Sequence, residues 1–426
     1  MIKFFTTATL ILFLQASLYS NLNSIELKII QEVDKSINES IQFLEETVKI
    51  NSGTFNQNGI KQCGLLYKQK LDQLGFTTVW HSLPKSLNRA DHLFAYRKGE
   101  KGKKLLLIGH IDTVFEKDQV NQKVLYSNNK LFGPGTADMK GGNMVIIYAL
   151  TALHNLGLLE NTTITVALHS DEEAAGRPLS ESRKHIIQSA KKSDVAIGFE
   201  GGSLNQAVTS RRGTSQWKLS VTGREFHSSL IFSPIVGSGS ILETSRVLYK
   251  FYEALNNEKY LTFNPGIIVG GSYINEKDFK AEVSGKDNIV AKQTLVKGDL
   301  RFISENQKQN AKKIMEKIAS KSFPQTQSKI TFSEGYPAMF PSTGNKNLLQ
   351  KLNTINLSLN YGSITENNPE KRGAADISFV AKYVDSLDGL GPNGGGAHTK
   401  NEYVNLKNID RYVKRAALLI YRLTNE

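Results

Sequence analysis

Cysteine is nearly absent from these 426 residues: Cys63 stands alone, so no intrachain disulfide can form. Stability therefore has to come from the size of the core or from bound metal. No zinc-finger spacing, RNA-recognition signature or long Lys/Arg block occurs, and the formal charge of +13 is scattered along the chain. Such a charge describes a solvated basic surface, suited to an anionic small substrate, and not a nucleic-acid face. Internal repeats and low-complexity tracts are missing as well. What is present is ordinary for a globular protein: 39% hydrophobic and 22% charged residues, which excludes a disordered or membrane-embedded chain. The length exceeds one ordinary core, so two domains are expected.

The first twenty residues, MIKFFTTATLILFLQASLYS, carry one early lysine, an apolar stretch from about Phe4 to Leu18 and small residues at Ser17 and Ser20. That order resembles a secretory signal peptide. The apolar run is shorter than the ~20 residues a membrane span needs. Export to the periplasm or medium is expected, without a stable membrane anchor, and with a mature chain starting near Asn21.

Apolar residues recur at helical spacing from Glu32 to Lys49 and from Gly59 to Leu74. Cys63 falls in the second segment and reads as a buried structural thiol, since no activating partner is near in sequence. Short apolar runs follow at Leu105–Ile108, Ile164–Leu168 and Val195–Phe199, with helical stretches between them at Met139–Leu156 and Ser180–Ala190. Strands alternating with helices predict a doubly wound, mostly parallel α/β sheet. Leu105-Leu106-Leu107-Ile108 lacks polar alternation, as a strand covered on both faces should.

The pattern changes at Arg211-Arg212-Gly213. A strand at Trp217–Val221, a helix at Ser240–Leu255, strands at Pro265–Gly271 and Gln293–Phe302, a helix at Glu305–Ile318 and a strand at Ile330–Phe332 give the order βαββαβ of a ferredoxin-like unit. The expected layout is a signal segment at 1–20, one domain from 21–212 and 332–426, and an inserted domain at 213–331. The chain closes on a helix at Ile409–Thr424.

Chemistry gathers where the apolar strands end. Leu105–Ile108 runs into Gly109-His110-Ile111-Asp112, Ile164–Leu168 into His169-Ser170-Asp171-Glu172-Glu173, and Val195–Phe199 into Glu200. Ligands bind at the carboxyl ends of strands in open α/β sheets. Adjacent carboxylates such as Asp171, Glu172 and Glu173 repel one another unless a cation or a shared proton lies between them. Two further residues sit in glycine-rich loops: Asp138 in Gly133-Pro134-Gly135-Thr136-Ala137-Asp138, and His398 in Gly394-Gly395-Gly396-Ala397-His398. Taken alone, Asp138 reads as a helix N-cap and His398 as a surface histidine. Taken together, His and carboxylates without thiolates suit catalytic zinc, and their number suits two ions about 3.5–4 Å apart.

Gly109-His110-Ile111-Asp112-Thr113-Val114 resembles the first metal motif of the carboxypeptidase G branch of the aminoacylase-like dinuclear zinc peptidases. Gly133-Pro134-Gly135 through Asp138-Met139-Lys140-Gly141-Gly142, then Asp171-Glu172-Glu173, Phe199-Glu200 and Ala397-His398 through Glu402-Tyr403 resemble the other four, in the family's order. The resemblance implies two Zn2+ ions per subunit, with Asp138 bridging, His110 and Glu200 completing one ion and Glu173 and His398 the other. It implies Glu172 as general base and Asp112 as the residue that orients His110. It further implies that the inserted domain is a lid that also forms a homodimer. On this lid, His227, in Gly223-Arg224-Glu225-Phe226-His227, would steady the oxyanion of the partner subunit, and Arg301 with Asn288 would grip a substrate α-carboxylate.

The chain departs from that family at Gly237-Ser238-Gly239, which lacks the usual Asn, and at Arg372-Gly373-Ala374-Ala375-Asp376, where Ala replaces Gly or Ser. In the family, Glu at the position of Glu200 goes with carboxypeptidases and deacylases. The expected function is a zinc exopeptidase releasing a C-terminal amino acid. The alternatives are an N-acyl-amino-acid deacylase on the same site and a non-catalytic exported binding protein of the same fold.

Overall fold

A computed structural model describes residues 22–118, 122–277 and 280–426; the expected signal segment lies outside the described residues. The chain forms two compact units, one running through Thr209 and taking in Pro341–Asn368 and Ala375–Glu426, the other made of Ser210–Phe340 and Pro369–Ala374.

The first unit is built on a six-stranded mixed sheet. Its order is Thr77–His81, His92–Arg97, Thr162–His169, Lys101–His110, Val195–Gly198, Asp385–Leu387. The last four run parallel, and His92–Arg97 runs against both of its neighbours. Leu105, Leu106, Leu107 and Ile108 are all buried although successive side chains point to opposite faces, so both faces of this strand are covered. The helices Ser24–Val48, Gly141–Asn155 and Ile409–Leu423 pack on one another within this unit. Cys63 lies buried in the helix Gln57–Gln73, and burial pushes its thiol pKa up.

Two differences from the sequence pattern have local causes. The first helix starts eight residues before the expected Glu32 region, because Asn23 caps it: its side chain accepts the N–H groups of Ile25 and Glu26 while Glu26 reaches back to the N–H of Asn23. The helix expected over Ser180–Ala190 is broken at Arg183 into Leu179–Ser182 and Lys184–Ala190. Arg183 turns its side chain inward to two buried aspartates, as described below.

The second unit is a four-stranded antiparallel sheet of order Thr262–Gly271, Gln293–Phe302, Gly213–Thr222, Gln327–Glu334. With the helices Gly239–Leu255 and Glu305–Ala319 this is the ferredoxin-like βαββαβ arrangement. Trp217, Leu219, Val221, Val296, Leu300 and Phe302 form its core with Val247, Phe251 and Met315 from the helices. A hairpin, Tyr273–Lys277 with Lys280–Ser284, is added between the second and third strands and was not anticipated from the sequence.

Candidate metal centre

Three parallel strands end level with one another. His110 pairs in register with His169, and the N–H of Phe199 donates to the carbonyl of Ile108 at 3.1 Å. Their carboxyl ends therefore deliver His110, the run Ser170–Glu173 and Glu200 to one edge of the sheet, as the strand endings predict. Asp138 and His398 arrive from a second, small sheet of the same unit, in which Tyr403–Asn405 lies between Lys130–Phe132 and Gly394–Gly395. The loops leaving those strands carry the two residues side by side.

Two sets of donors result. His110, Asp138 and Glu200 form one, and Asp138, Glu173 and His398 the other, each with its donor atoms within 4.8 Å of one another. Asp138 belongs to both. Its Oδ1 lies 3.2 Å from His110 Nε2 and its Oδ2 lies 3.0 Å from His398 Nε2. Glu200 Oε1 is 3.6 Å from His110 Nε2, and Glu173 Oε2 is 3.4 Å from His398 Nε2. Asp138 is not the N-cap of the following helix, since Lys140 occupies that position before Gly141–Asn155.

The electrostatics are those of a cation site. Burial would raise the Asp138 pKa, but the hydrogen bonds from His110 and His398 hold it below the usual carboxylate range. Hydrogen bonds to Asp138 and Glu173 raise His398 to about 10. Burial would lower His110, yet Asp112, Asp138 and the charges of Glu200 and Glu172 hold it well above the ordinary imidazole value. Each imidazole thus keeps a proton at the carboxylates it faces, and a divalent cation competes with that proton for the same atoms. The remaining oxygen of Glu173, Oε1, is buried with no hydrogen-bond partner. Imidazole nitrogens, carboxylate oxygens and one buried unpaired oxygen fit divalent metal ions held by these five residues.

Asp112 is fully buried between the two halves of the site. His110 Nδ1 lies 2.9 Å from the backbone carbonyl of Asp112 and 3.4 Å from its Oδ1. The carboxylate itself accepts the N–H groups of Glu172 at 3.0 Å and Glu173 at 3.1 Å, and the hydroxyl of Thr54 at 2.7 Å. Asp112 therefore orients His110 chiefly through its main chain and fixes the Glu172–Glu173 turn through its side chain. Burial, with the nearby Glu200, Asp376 and Glu173 charges, outweighs His110 and pushes the Glu172 carboxyl well above its usual range.

Asp171 differs from its two neighbours. Adjacent acids call for a cation or a shared proton between them, and for Asp171 that cation is part of the protein: Arg183 Nη1 donates to its Oδ1 at 2.6 Å, while the N–H of Gly176 and the Ser182 hydroxyl donate to its Oδ2. Arg183 Nε donates to Asp376 Oδ1 at 2.7 Å, and Asp376 also pairs with His169 Nδ1. His169 thus ends its strand as a partner of Asp376 and is no member of either donor set. Sequence reasoning gave no role to Arg183, Asp376 or Glu402. Asp376 and Glu402 do lie in the stretches 372–376 and 397–403 that the sequence singles out, whereas nothing in the sequence marks Arg183.

In the second unit the structure brings together two of the three predicted lid residues. His227 opens a short turn, accepting the N–H of Ser229 through Nδ1 at 3.3 Å, and the N–H of Ser228 donates to the Asn288 carbonyl at 2.8 Å. Arg301 pairs with Asp299 at 2.9 Å on the strand Gln293–Phe302.

A family model described as peptidase family M20/M25/M40 matches residues 106–422. This chain belongs to that family. As an M20 protein it is a hydrolase, and the family's metal dependence agrees with the two donor sets. Its sequence is 30% identical over 391 residues to carboxypeptidase G2 of Pseudomonas sp. (strain RS-16), covering 90% of this chain and 89% of that protein. It is 32% identical over 220 residues to an acetylornithine deacetylase of Pasteurella multocida (strain Pm70), covering 48% of this chain and 55% of that one. The fold matches the crystal structure of aminopeptidase PepT from Bacillus cereus ATCC 10987 with a TM-score of 0.73 at 15% identity, over 91% of this chain and 98% of the other.

Proposed function

We propose that this M20 hydrolase is a zinc-dependent exopeptidase of carboxypeptidase type, which cleaves an amide bond to release a C-terminal amino acid such as glutamate. One observation carries the reading: Asp138 faces His110 with one oxygen and His398 with the other, joining two donor sets beside the half-buried carboxyl of Glu172. Likeness to carboxypeptidase G2 over nine-tenths of the chain supports the substrate class. Zinc ions, when bound, supply Lewis acidity to the scissile carbonyl and lower the pKa of water at the site.

The chain's own residues would do the rest. His110 and Glu200 would hold one ion and Glu173 and His398 the other, with Asp138 a member of both donor sets. Glu172 takes the proton of the attacking water and delivers it to the leaving nitrogen, for which a carboxyl of raised pKa is suited. Asp112 keeps Glu172 in place through the N–H of that residue. On the lid, His227 from the second subunit of a homodimer steadies the oxyanion, and Arg301 with Asn288 binds the α-carboxylate. The N-terminal segment directs export to the periplasm or medium.

A deacylase of N-acyl-amino acids is the second reading, favoured by the likeness to acetylornithine deacetylase over about half of each chain. Both reactions leave a free amino acid and differ in the group beyond the scissile amide. Zinc-loaded protein assayed on N-acetyl-amino acids beside dipeptides and folate-like amides ending in glutamate separates them. Faster cleavage of the peptide-like panel is expected. Cleavage of the acetyl series alone establishes the deacylase, and no cleavage of either by metal-loaded protein overturns both substrate readings.

A further inference from the structure

Glu402 is fully buried and belongs to neither donor set. Its Oε2 accepts the N–H of Gly135 at 3.0 Å, and its Oε1 accepts those of Ala137 at 2.8 Å and Asp138 at 2.9 Å. A buried carboxylate bound by three backbone N–H groups cannot move without leaving donors unsatisfied. The main chain of the same residue makes a fourth tie, its carbonyl accepting the N–H of Gly133 at 3.0 Å. The next residue, Tyr403, starts the strand that pairs with Phe132 on one side and Gly395 on the other. The loop that carries Asp138 and the loop that carries His398 are thus fastened to one point.

Both loops have backbones that need fastening. Gly135 has φ +79°, and a Cβ there would lie 2.6 Å from Cγ2 of Thr113, so only glycine serves. His398 itself has φ +63°, in the left-handed region where a side chain is disfavoured. Next to Asp138 the buried Lys140 donates to the carbonyls of Thr47 at 2.9 Å and Ile50 at 2.8 Å, tying the other end of the loop to the end of the first helix.

We propose that Glu402 is a positioning residue of the metal centre: by clasping Gly135, Ala137 and Asp138 it presets the shared Asp138 carboxylate against the His398 loop. This rests on the two-ion reading of the site. Glu402 belongs to neither donor set; it acts through the backbone of Asp138, holding the geometry that the ions would require.

Glu402→Gln tests it, since the amide keeps the size of the side chain but turns an N–H group toward backbone donors. The readouts are zinc affinity, measured by competition with a chromophoric chelator, and the visible spectrum of the cobalt-loaded protein. Leu352→Ala, in the buried core of the helix Thr343–Ser358, serves as a control for general loss of stability. The expected results are a 10–100-fold loss of zinc affinity and an altered cobalt spectrum for Glu402→Gln, with the control unchanged in both. Glu402→Asp keeps the charge but shortens the reach, and it is expected to show the same loss should the amide variant not fold.

Zinc affinity in these variants equal to wild type, or reduced no more than in the control, overturns the proposal. Wild-type protein that binds no divalent cation instead overturns the two-ion reading beneath it, and the titration of wild type alone reveals that case.

Discussion

Arg183 and Asp171 form a fully buried ion pair, Nη1 to Oδ1 at 2.6 Å, directly behind the two glutamates of the metal centre. Burial would raise the Asp171 carboxyl, but the guanidinium, together with His92 and His169, keeps its pKa below the ordinary value. Arg183 bonds Asp376 with its Nε at the same time, so one cation balances two buried carboxylates. Removing it takes the guanidinium from Asp171 and leaves Asp376 with His169 alone. Arg183→Met is expected to lose about 3–5 kcal/mol of unfolding free energy, the cost typical of breaking a buried pair from one side. Urea unfolding at neutral pH measures it, and a loss below about 1 kcal/mol would mean that these carboxylates take up protons or water in its place.

Glu172 and Glu173 are adjacent in sequence, and Asp112 holds the N–H of both, yet only Glu173 belongs to a donor set. Glu172→Gln should therefore retain the full metal content of wild type while turnover falls by about 10²–10⁴-fold, the usual worth of a general base. Glu173→Gln should lose metal. Elemental analysis beside steady-state kinetics distinguishes them. A Glu172→Gln enzyme working within tenfold of wild type assigns the proton transfer to another group.

Sharing of Asp138 between both donor sets makes a stoichiometric prediction. Asp138→Asn weakens both sets together, whereas Glu200→Gln and Glu173→Gln each touch one. Mass spectrometry of inductively ionised samples, after chelation and reloading with zinc, should give close to no retained metal in the first variant and about one ion per chain in the other two. Equal loss in all three would place the ions differently from the two sets seen here.

Much of this site was legible because the strands that bear it are unusually plain. Leu105–Ile108 is apolar without alternation and Ile164–Leu168 is interrupted only by Thr165, so their ends could be located to within two residues, and the acids and histidines that follow stood out. The order of the ferredoxin-like unit was legible for a related reason, since its strands alternate and its helices are amphipathic. Asp138 and His398 were different: each sits in a glycine-rich loop whose conformation depends on Glu402, 264 residues after Asp138, and on the small sheet around it. Such a contact leaves no periodicity to read, and the resemblance to a known family supplied what spacing could not. The network behind Asp171 was hidden for the same reason, because a buried arginine that interrupts a helix looks in sequence like one more exposed residue of an amphipathic segment.

His92 gives the protein an acid-sensitive point away from the two donor sets. It is fully buried, donates from Nε2 to the carbonyl of Ser182 at 2.9 Å, and has Nδ1 at 2.9 Å from the Ser170 hydroxyl and at 3.2 Å from the Ser170 N–H, which it accepts. Both ring nitrogens are thus engaged by the neutral form, and protonating Nδ1 would set it against an N–H donor. Burial first, and then the neighbouring His169, push its pKa down to about 3 from 6.5. Between those values the unfolded chain binds a proton that the folded chain does not. The stability this histidine contributes is therefore complete above about pH 6.5 and is lost as the pH falls toward 3. One such proton sets a limiting slope of about 1.4 kcal/mol per pH unit. Urea unfolding of wild type and His92→Gln, each at pH 7 and at pH 4.5, isolates this proton from the carboxylates that titrate in both. The stability gap between the two proteins should narrow on acidification by about 2–3 kcal/mol. A gap that stays constant would show that His92 keeps its proton affinity in the fold and that the acid sensitivity arises elsewhere.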